Sequence, residues 1–251
     1  MTQDKLTKKQ RRLLRKQGKY EEPNIGLKIK HFSPITNNQQ LTFNHYYNGK
    51  NLFLHGTAGT GKSFISLYLA LQECLESDIY RKVYIVRSVV PSRDMGFLPG
   101  NQKEKIKVYE QPYYSICTEL FGRGDSYDLL KQKNKIEFIS TSFLRGTTFS
   151  DCIVVCDEIQ NLNCGELNTV ITRIGHNCKV IFSGDIRQTD LNKGKEMSGI
   201  ADFIKIIRRM NMFEFVEFKP EDICRSRLVK QYIMIRNELE DRNVIQPLSR
   251  M

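Results

Sequence analysis

One short stretch constrains the fold of this chain more than any other feature: Gly56-Thr-Ala-Gly-Thr-Gly-Lys-Ser63 fits the pattern G-x-x-x-x-G-K-[ST]. Glycines at these positions let the backbone curl so that successive N–H groups point at one phosphate. An apolar run over residues 51–55 precedes the pattern, and residues 64–76, rich in Leu, Ile and Ala, follow it. The stretch therefore predicts a buried strand, a phosphate-binding loop and a helix whose positive end faces the phosphate.

This loop, called the P-loop below, combines backbone and side-chain ligands. Lys62 would reach the β- and γ-phosphates of a nucleotide, and Ser63 would hold Mg²⁺ through its hydroxyl. The alternative is a glycine-rich turn without a ligand. The predicted nucleotide-binding residues of the loop are Gly56, Thr57, Ala58, Gly59, Thr60, Gly61, Lys62 and Ser63.

The composition suits one compact domain, or one domain with extensions, in a chain of 251 residues that is 40% hydrophobic. No apolar stretch approaches the length of a membrane span and no secretory signal is recognisable, so we expect a cytoplasmic protein without a membrane partner. Seven cysteines without a C-x-x-C pair favour buried thiols in a reducing cytosol over zinc sites or disulfides.

The positive charge is concentrated near the N-terminus. The chain carries a net charge of +11, and residues 1–30 hold ten Lys and Arg against three acids. We interpret residues 1–33 as a basic tail and linker that neutralises nucleic-acid phosphates, with a solvated tail that only aids solubility as the alternative.

Residues 34–251 read as one domain in which strands and helices alternate. The predicted strands after the P-loop cover 82–87, 135–139, 151–157 and 179–183, with a loop and helix insertion over 92–135. In the extension over 195–251, the pattern predicts a helix at 195–210, a strand at 213–219 and a helix at 221–240. Alternation of this kind predicts an α/β fold with a doubly wound, mainly parallel sheet that binds ligands at the carboxyl ends of its strands. The P-loop and Asp157 both fall at such ends, which predicts a single nucleotide site.

Two acids, Asp157 and Glu158, close an apolar strand about a hundred residues after the P-loop. Asp157 would hold Mg²⁺, and Glu158 would orient and deprotonate an attacking water. A second acid at this place favours hydrolysis over group transfer, because a kinase must keep water away from the γ-phosphate. The alternative is an acid pair that only caps the strand end.

These motifs, taken in order, resemble the PhoH-like proteins, a family of single-core ATPases related to superfamily 1 helicases. The resemblance covers roughly residues 34–235 and looks closest to phage-encoded members. It implies a RecA-like P-loop NTPase core that binds ATP and Mg²⁺. The stretches that carry it are 56–63, Gly96-Phe-Leu-Pro-Gly100, 144–146, Asp157-Glu-Ile-Gln-Asn161, 172–175, 183–185, 188–191 and 198–199.

The resemblance implies roles for two glutamines. Gln188, which follows Ser183-Gly-Asp185, would sense the γ-phosphate. Gln39, seventeen residues before Gly56, would recognise the adenine edge, which implies ATP rather than GTP. The alternative for Gln39 is a surface helix residue.

Hydrolysis in such a single-core protein needs an arginine from elsewhere, and a neighbouring subunit in a homo-oligomeric ring, with a hexamer as one candidate size, would supply it. The candidates are Arg225, then Arg173 and Arg145, and Arg145 is also a candidate nucleotide contact. Arg225 could instead pair locally with Asp222 or Glu221. Neighbours of these arginines depart from the family pattern, as in Arg145-Gly-Thr147, which puts the basic recognition surface in doubt more than the ATP site.

The insertion mixes lysines with Tyr109, Tyr113, Tyr114 and Tyr127. Such a mixture suits a groove for a single nucleic-acid strand, or a solvated insertion that packs on the core. The sequence as a whole predicts an Mg²⁺-dependent ATPase that acts on RNA or single-stranded DNA. A non-catalytic nucleotide-switched binding protein and a small-molecule kinase remain as alternatives.

Overall fold

The computed structural model describes residues 26–89, 102–144, 146–186, 195–242 and 244–245. Several sequence-predicted features lie outside these residues: most of the basic tail, the motif at 96–100, Arg145 and Gln188.

Six parallel strands form one sheet in the order β3-β2-β4-β5-β1-β6. Because neighbours in a parallel sheet need crossover connections, helices cover both faces. This confirms the predicted α/β fold with a doubly wound, mainly parallel sheet. The strands are β1 (Asn51–Gly56), β2 (Lys82–Arg87), β3 (Ile136–Ser140), β4 (Cys152–Cys156), β5 (Cys178–Gly184) and β6 (Phe213–Phe218).

Seven described α-helices surround the sheet. They are α1 (Asn37–Tyr47), α2 (Lys62–Glu76), α3 (Gln102–Phe121), α4 (Ser126–Gln132), α5 (Cys164–Thr172), α6 (Lys195–Arg208) and α7 (Arg227–Asp241). Short 3₁₀ turns at Thr141–Phe143, Ile159–Asn161 and Pro220–Asp222 complete the described elements. None of these helices combines the length and the apolar character needed to cross a bilayer.

Side chains on successive strand residues enter two different cores. In β1, Leu52 and Leu54 pack in one cluster together with residues of α1, α2 and α3, whereas Phe53 packs in the other with residues of α5 and α6. All three are at most 1% exposed. A strand that is buried on both faces explains why β1 reads as a continuous apolar run rather than as an alternating one. The two cores hold the carboxyl end of β1, and hence the P-loop, in a fixed position.

The described part of the insertion, residues 102–135, packs on the core as α3 and α4. Tyr109, Tyr113 and Tyr127 are each at most 8% exposed, so they cannot stack on nucleic-acid bases from these positions. The structure therefore favours the packing alternative over the single-strand groove for these tyrosines.

The C-terminal helix begins later than residue 221, where the sequence pattern placed it. Asp222 accepts hydrogen bonds from Asn38 Nδ2 (2.7 Å) and from the backbone N–H of Lys219 (2.9 Å), which closes a 3₁₀ turn. The next residues cross the P-loop, where Cys224 N donates to Gly59 O at 3.0 Å. Helix α7 then starts after Ser226, whose hydroxyl caps it by accepting from Val229 N. This crossing segment brings the C-terminal part of the chain to the P-loop.

Candidate nucleotide-binding site

The P-loop connects β1 to α2 through glycines with positive φ angles. Gly56 has a φ of 109°, and a Cβ atom there would lie 2.1 Å from the carbonyl oxygen of Phe218 in β6. Gly61, with a φ of 84°, occupies the N-cap of α2 without a side-chain cap. The first N–H groups of α2 are therefore left for an anion, at the end of the helix where the dipole favours negative charge.

Lys62 folds back over the loop that carries it. Its Nζ donates to the carbonyl oxygens of Gly56 (2.8 Å) and Thr57 (2.7 Å), and the residue is 8% exposed. Burial lowers the pKa of Lys62, and the nearby carboxylates of Asp185, Asp157 and Glu158 oppose that shift. The ammonium group thus has loop carbonyl oxygens as partners, and Lys62 lines the cavity described below.

The two predicted metal ligands lie within hydrogen-bond distance of each other. Ser63 Oγ, in the first turn of α2, donates to Asp157 Oδ1 at 2.9 Å. A hydroxyl and a carboxylate oxygen are ligands that Mg²⁺ prefers, so these residues fit a magnesium site. The second carboxylate oxygen, Oδ2, accepts from the hydroxyl of Tyr113 in α3 at 3.0 Å. The sequence reasoning missed this role of Tyr113, which no local motif signals.

Glu158 follows in an unusual conformation. Its φ of 53° and ψ of 47° lie in the left-handed region, which non-glycine residues rarely adopt. Its carboxylate accepts a hydrogen bond from the side-chain amide of Gln160. Burial raises the pKa of Glu158, with a further increase from Asp157, whereas the positive charge of Arg87 acts to lower it. Arg87, at the end of β2, is a second residue whose place in the site the sequence did not reveal.

Gln39 is buried against the P-loop. It is 5% exposed; its Oε1 accepts from Ile35 N at 2.9 Å, and its Nε2 donates to Thr60 O at 3.2 Å. The alternative that Gln39 is a surface residue is wrong. Its predicted contact with adenine remains a prediction.

A cavity of about 710 Å³ extends over these residues, a size typical of small-molecule sites. Its lining includes the charged residues Lys62, Asp157, Glu158 and Asp185. The lining also includes apolar and aromatic residues, namely Phe32, Ile35, Phe43, Phe64 and Tyr68. Charged groups suit the phosphates of a nucleotide, and apolar groups suit its base.

The candidate arginines fall in different places. Arg225 lines the cavity of its own chain, and its Cγ would lie 3.3 Å from a Cβ atom at Gly59. Asp222, which the sequence suggested as a local partner of Arg225, has Asn38 and Lys219 as hydrogen-bond partners, as described above. Arg173 follows α5, and its carbonyl oxygen accepts from Phe149 N at 2.8 Å, just before β4 begins. Arg173 therefore lies toward the amino ends of the strands, opposite the P-loop.

All seven cysteines fall within the described residues, and all are free thiols. Four of them are buried: Cys74, Cys117, Cys152 and Cys156.

Comparison with known proteins places this site in a family. The Protein PhoH of Escherichia coli strain K12 is 34% identical over 204 residues, which cover 79% of this chain and 57% of that protein. A PhoH-like protein of Bacillus subtilis strain 168 is 32% identical over 179 residues, covering 71% of this chain and 55% of that one. The chain thus spans little more than half the length of these relatives.

Solved structures with a similar arrangement include the Pif1 helicase from Candida albicans, with a TM-score of 0.40, 15% identity, and coverage of 83% of this chain and 44% of that chain. The SWI2/SNF2 ATPase core of Sulfolobus solfataricus gives a TM-score of 0.42 and 12% identity, covering 79% of this chain and 47% of that one. The family model described as PhoH-like protein matches residues 31–236, which include the P-loop, both acids and Arg225. The chain belongs to the PhoH-like protein family.

Proposed function

We propose that this protein is an Mg²⁺-dependent ATPase that couples ATP hydrolysis to binding or remodelling of RNA or single-stranded DNA. One observation carries the proposal: Ser63 and Asp157 meet at 2.9 Å beside Glu158, and all three face the cavity above Lys62. This combination provides a phosphate ligand, a metal site and a general base within one pocket.

Each residue of the pocket has a role in the proposed reaction. Lys62 binds the β- and γ-phosphates, and Glu158 accepts the proton of the water that attacks the γ-phosphorus while the bond to the β–γ bridging oxygen breaks. Mg²⁺, held by Ser63 and Asp157, would neutralise charge on the phosphate oxygens. Gln188 would contact the γ-phosphate or the water, and Gln39 would select adenine.

Several finer features of the proposal rest on the sequence. The net charge of +11, concentrated in the first thirty residues, supports a nucleic-acid partner whose binding weakens as salt rises. The resemblance to phage-encoded members and the expected cytoplasmic location belong to the same proposal, with the host cytoplasm as the location of a phage-encoded protein.

Phosphate release from ATP tests the proposed function directly. We expect turnover that requires Mg²⁺, rises with protein concentration and is stimulated by single-stranded RNA or DNA. Lys62→Ala should reduce it to background, because the transferred phosphate loses its main positive charge. Lys205→Ala, a matched change of an exposed lysine on α6, should leave it unchanged.

Other outcomes select the alternatives. Bound ATP without turnover, even with nucleic acid at high protein concentration, would favour a nucleotide-switched binding protein. Phosphate transfer to a metabolite without net phosphate release would favour a kinase.

We also propose that the protein acts as a ring in which Arg173 completes the site of the neighbouring subunit and Arg225 contacts nucleotide in its own subunit. The positions of the two residues in the fold support this division, since Arg225 lines the cavity of its own chain and the backbone of Arg173 lies at the opposite edge of the sheet. Ring closure by a head-to-tail interface is a common oligomeric arrangement.

Mixing of inactive variants separates the two roles. Lys62→Ala mixed with Arg173→Ala should recover turnover that neither shows alone, because some sites then combine an intact P-loop with an intact neighbouring arginine. Lys62→Ala mixed with Arg225→Ala should stay inactive, because Lys62 and Arg225 would act in the site of their own subunit, so every site in the mixture still carries one of the two defects. Recovery in the second mixture, or none in the first, would contradict the assignment.

A further inference from the structure

Gln160 connects the proposed general base to the end of a neighbouring strand. It lies two residues after Glu158 in the 3₁₀ turn Ile159–Asn161, and it is 7% exposed. Its Nε2 donates to Glu158 Oε2, and its Oε1 accepts from the backbone N–H of Asp185 at 3.0 Å. Asp185 directly follows β5 and leads toward Gln188. One side chain therefore bridges the two segments that would handle the γ-phosphate.

The orientation of this amide is dictated by its partners. The backbone N–H of Asp185 can only donate, so it requires the amide oxygen. An ionised carboxylate can only accept, so Glu158 requires the amide nitrogen. Both demands are met by the same rotamer of Gln160, and the flipped amide would violate both. The two hydrogen bonds together therefore require an amide side chain at this position.

Gly184, the last residue of β5, leaves room for the bridge. A Cβ atom at Gly184 would lie 2.4 Å from Gln160 Oε1 and 2.7 Å from Ile159 Cγ1. Because both distances are far shorter than van der Waals contacts, any other residue would displace the amide. The absence of a side chain at Gly184 therefore leaves the space that the amide of Gln160 occupies.

Glu158 also depends on its surroundings for its conformation. Its left-handed backbone is intrinsically unfavourable, so packing and hydrogen bonds must hold it. Asn161 N donates to Glu158 O at 3.0 Å on the backbone side, and Gln160 holds the carboxylate.

We propose that Gln160 is a positioning residue that aims the Glu158 carboxylate at the attacking water and links its orientation to the turn after β5. The proposal rests on the proposed ATP hydrolysis and adds a residue to it. Loss of the bridge should slow the chemical step, because a misaligned base fails in the transition state while the phosphate ligand Lys62 and the proposed metal ligand Ser63 stay in place.

Two substitutions at Gln160 test the bridge. Gln160→Met keeps the length of the side chain and removes both hydrogen bonds. Gln160→Glu keeps an acceptor for Asp185 N–H but loses the donor to Glu158. We expect each to lower kcat by roughly tenfold to a hundredfold, with KM for ATP and the Kd of a non-hydrolysable ATP analogue changed by less than about twofold. Gln72→Met, the same change at a partly exposed position on α2 outside the site, should leave kcat unchanged.

Amide hydrogen exchange at Asp185 supplies a readout that is independent of activity. Gln160→Met should speed exchange at this N–H, whereas Gln160→Glu should keep it protected although kcat falls in both. Wild-type kcat in either variant, or a loss of kcat matched by an equal loss of analogue binding, would overturn the proposal. If the Met variant does not fold, the Glu variant alone decides by the same criteria.

Failure of the proposed function gives a different result. In that case the wild-type protein releases no phosphate, or releases it as fast with Lys62→Ala. The positioning role is then ruled out together with the reaction it serves. Wild-type hydrolysis that depends on Lys62 but not on Gln160 rules out the positioning role alone.

Discussion

Replacement of Glu158 by Gln is expected to yield a protein that binds ATP and does not hydrolyse it. The substitution preserves the size of the side chain and one accepting oxygen but removes the group that accepts the proton of water. General bases contribute about 10²- to 10⁴-fold to such reactions, so kcat should fall by about that factor. Affinity for ATP should stay equal or increase, because a negative charge leaves the neighbourhood of the phosphates.

Single-turnover hydrolysis and binding of a fluorescent ATP analogue measure the two effects separately. Glu238→Gln, an exposed position on α7, serves as the matched control and should behave as wild type. Unchanged kcat in Glu158→Gln would exclude Glu158 as the base. Equal losses of binding and turnover would point to a disturbed fold instead.

Replacement of Gly56 by Ala is expected to destabilise the whole domain. The new methyl group would meet the carbonyl oxygen of Phe218 at 2.1 Å, and the backbone would keep a φ of 109° that L-residues rarely adopt. Gly56 pairs with Phe218 in the sheet, and Thr57 N donates to Phe218 O at 2.9 Å, so β6 must move away from β1. We expect a loss of about 3–5 kcal/mol in the free energy of unfolding, a large part of the stability of a typical domain.

Thermal unfolding with two control glycines separates the contributions. Gly49 has a φ of 77° and open space around it, so Gly49→Ala carries only the backbone cost, about 1–2 kcal/mol. Gly124 has open space and no strained φ, so Gly124→Ala should be nearly neutral. For Gly56→Ala, Tm should drop by roughly 10 °C. If Gly56→Ala and Gly49→Ala had the same Tm, the displacement of β6 from β1 would cost no stability beyond that of the backbone conformation.

Local patterns predicted the framework of the fold because each depends on residues close in sequence. The apolar run before Gly56 and the residues after Ser63 predicted β1 and α2, and the observed elements begin and end within two residues of the prediction. Strand β2 was predicted with the bounds that the structure shows. A continuous apolar run already implies a strand buried on both faces.

Contacts between distant segments could not be read in the same way. Tyr113 meets Asp157 across 44 residues, and its sequence context of lysines and tyrosines equally suits an exposed groove. Arg87 and Gln160 lie beside predicted site residues in the folded chain. Their roles depend on which strands are neighbours in the sheet, and local sequence patterns do not give that order. The start of α7 was missed because the hydrogen bonds of Asp222 with Asn38 and Lys219 close a 3₁₀ turn before the helix.

The position of Lys62 has a consequence for the proposed cycle of nucleotide exchange. Its ammonium group already has carbonyl partners in Gly56 and Thr57, so an arriving phosphate would replace these contacts. The net gain in affinity from this lysine would therefore be a difference between two bound arrangements. After the products leave, the lysine would return to the loop carbonyls, and no buried charge would be left without a partner. Such a site would favour repeated turnover over permanent occupancy.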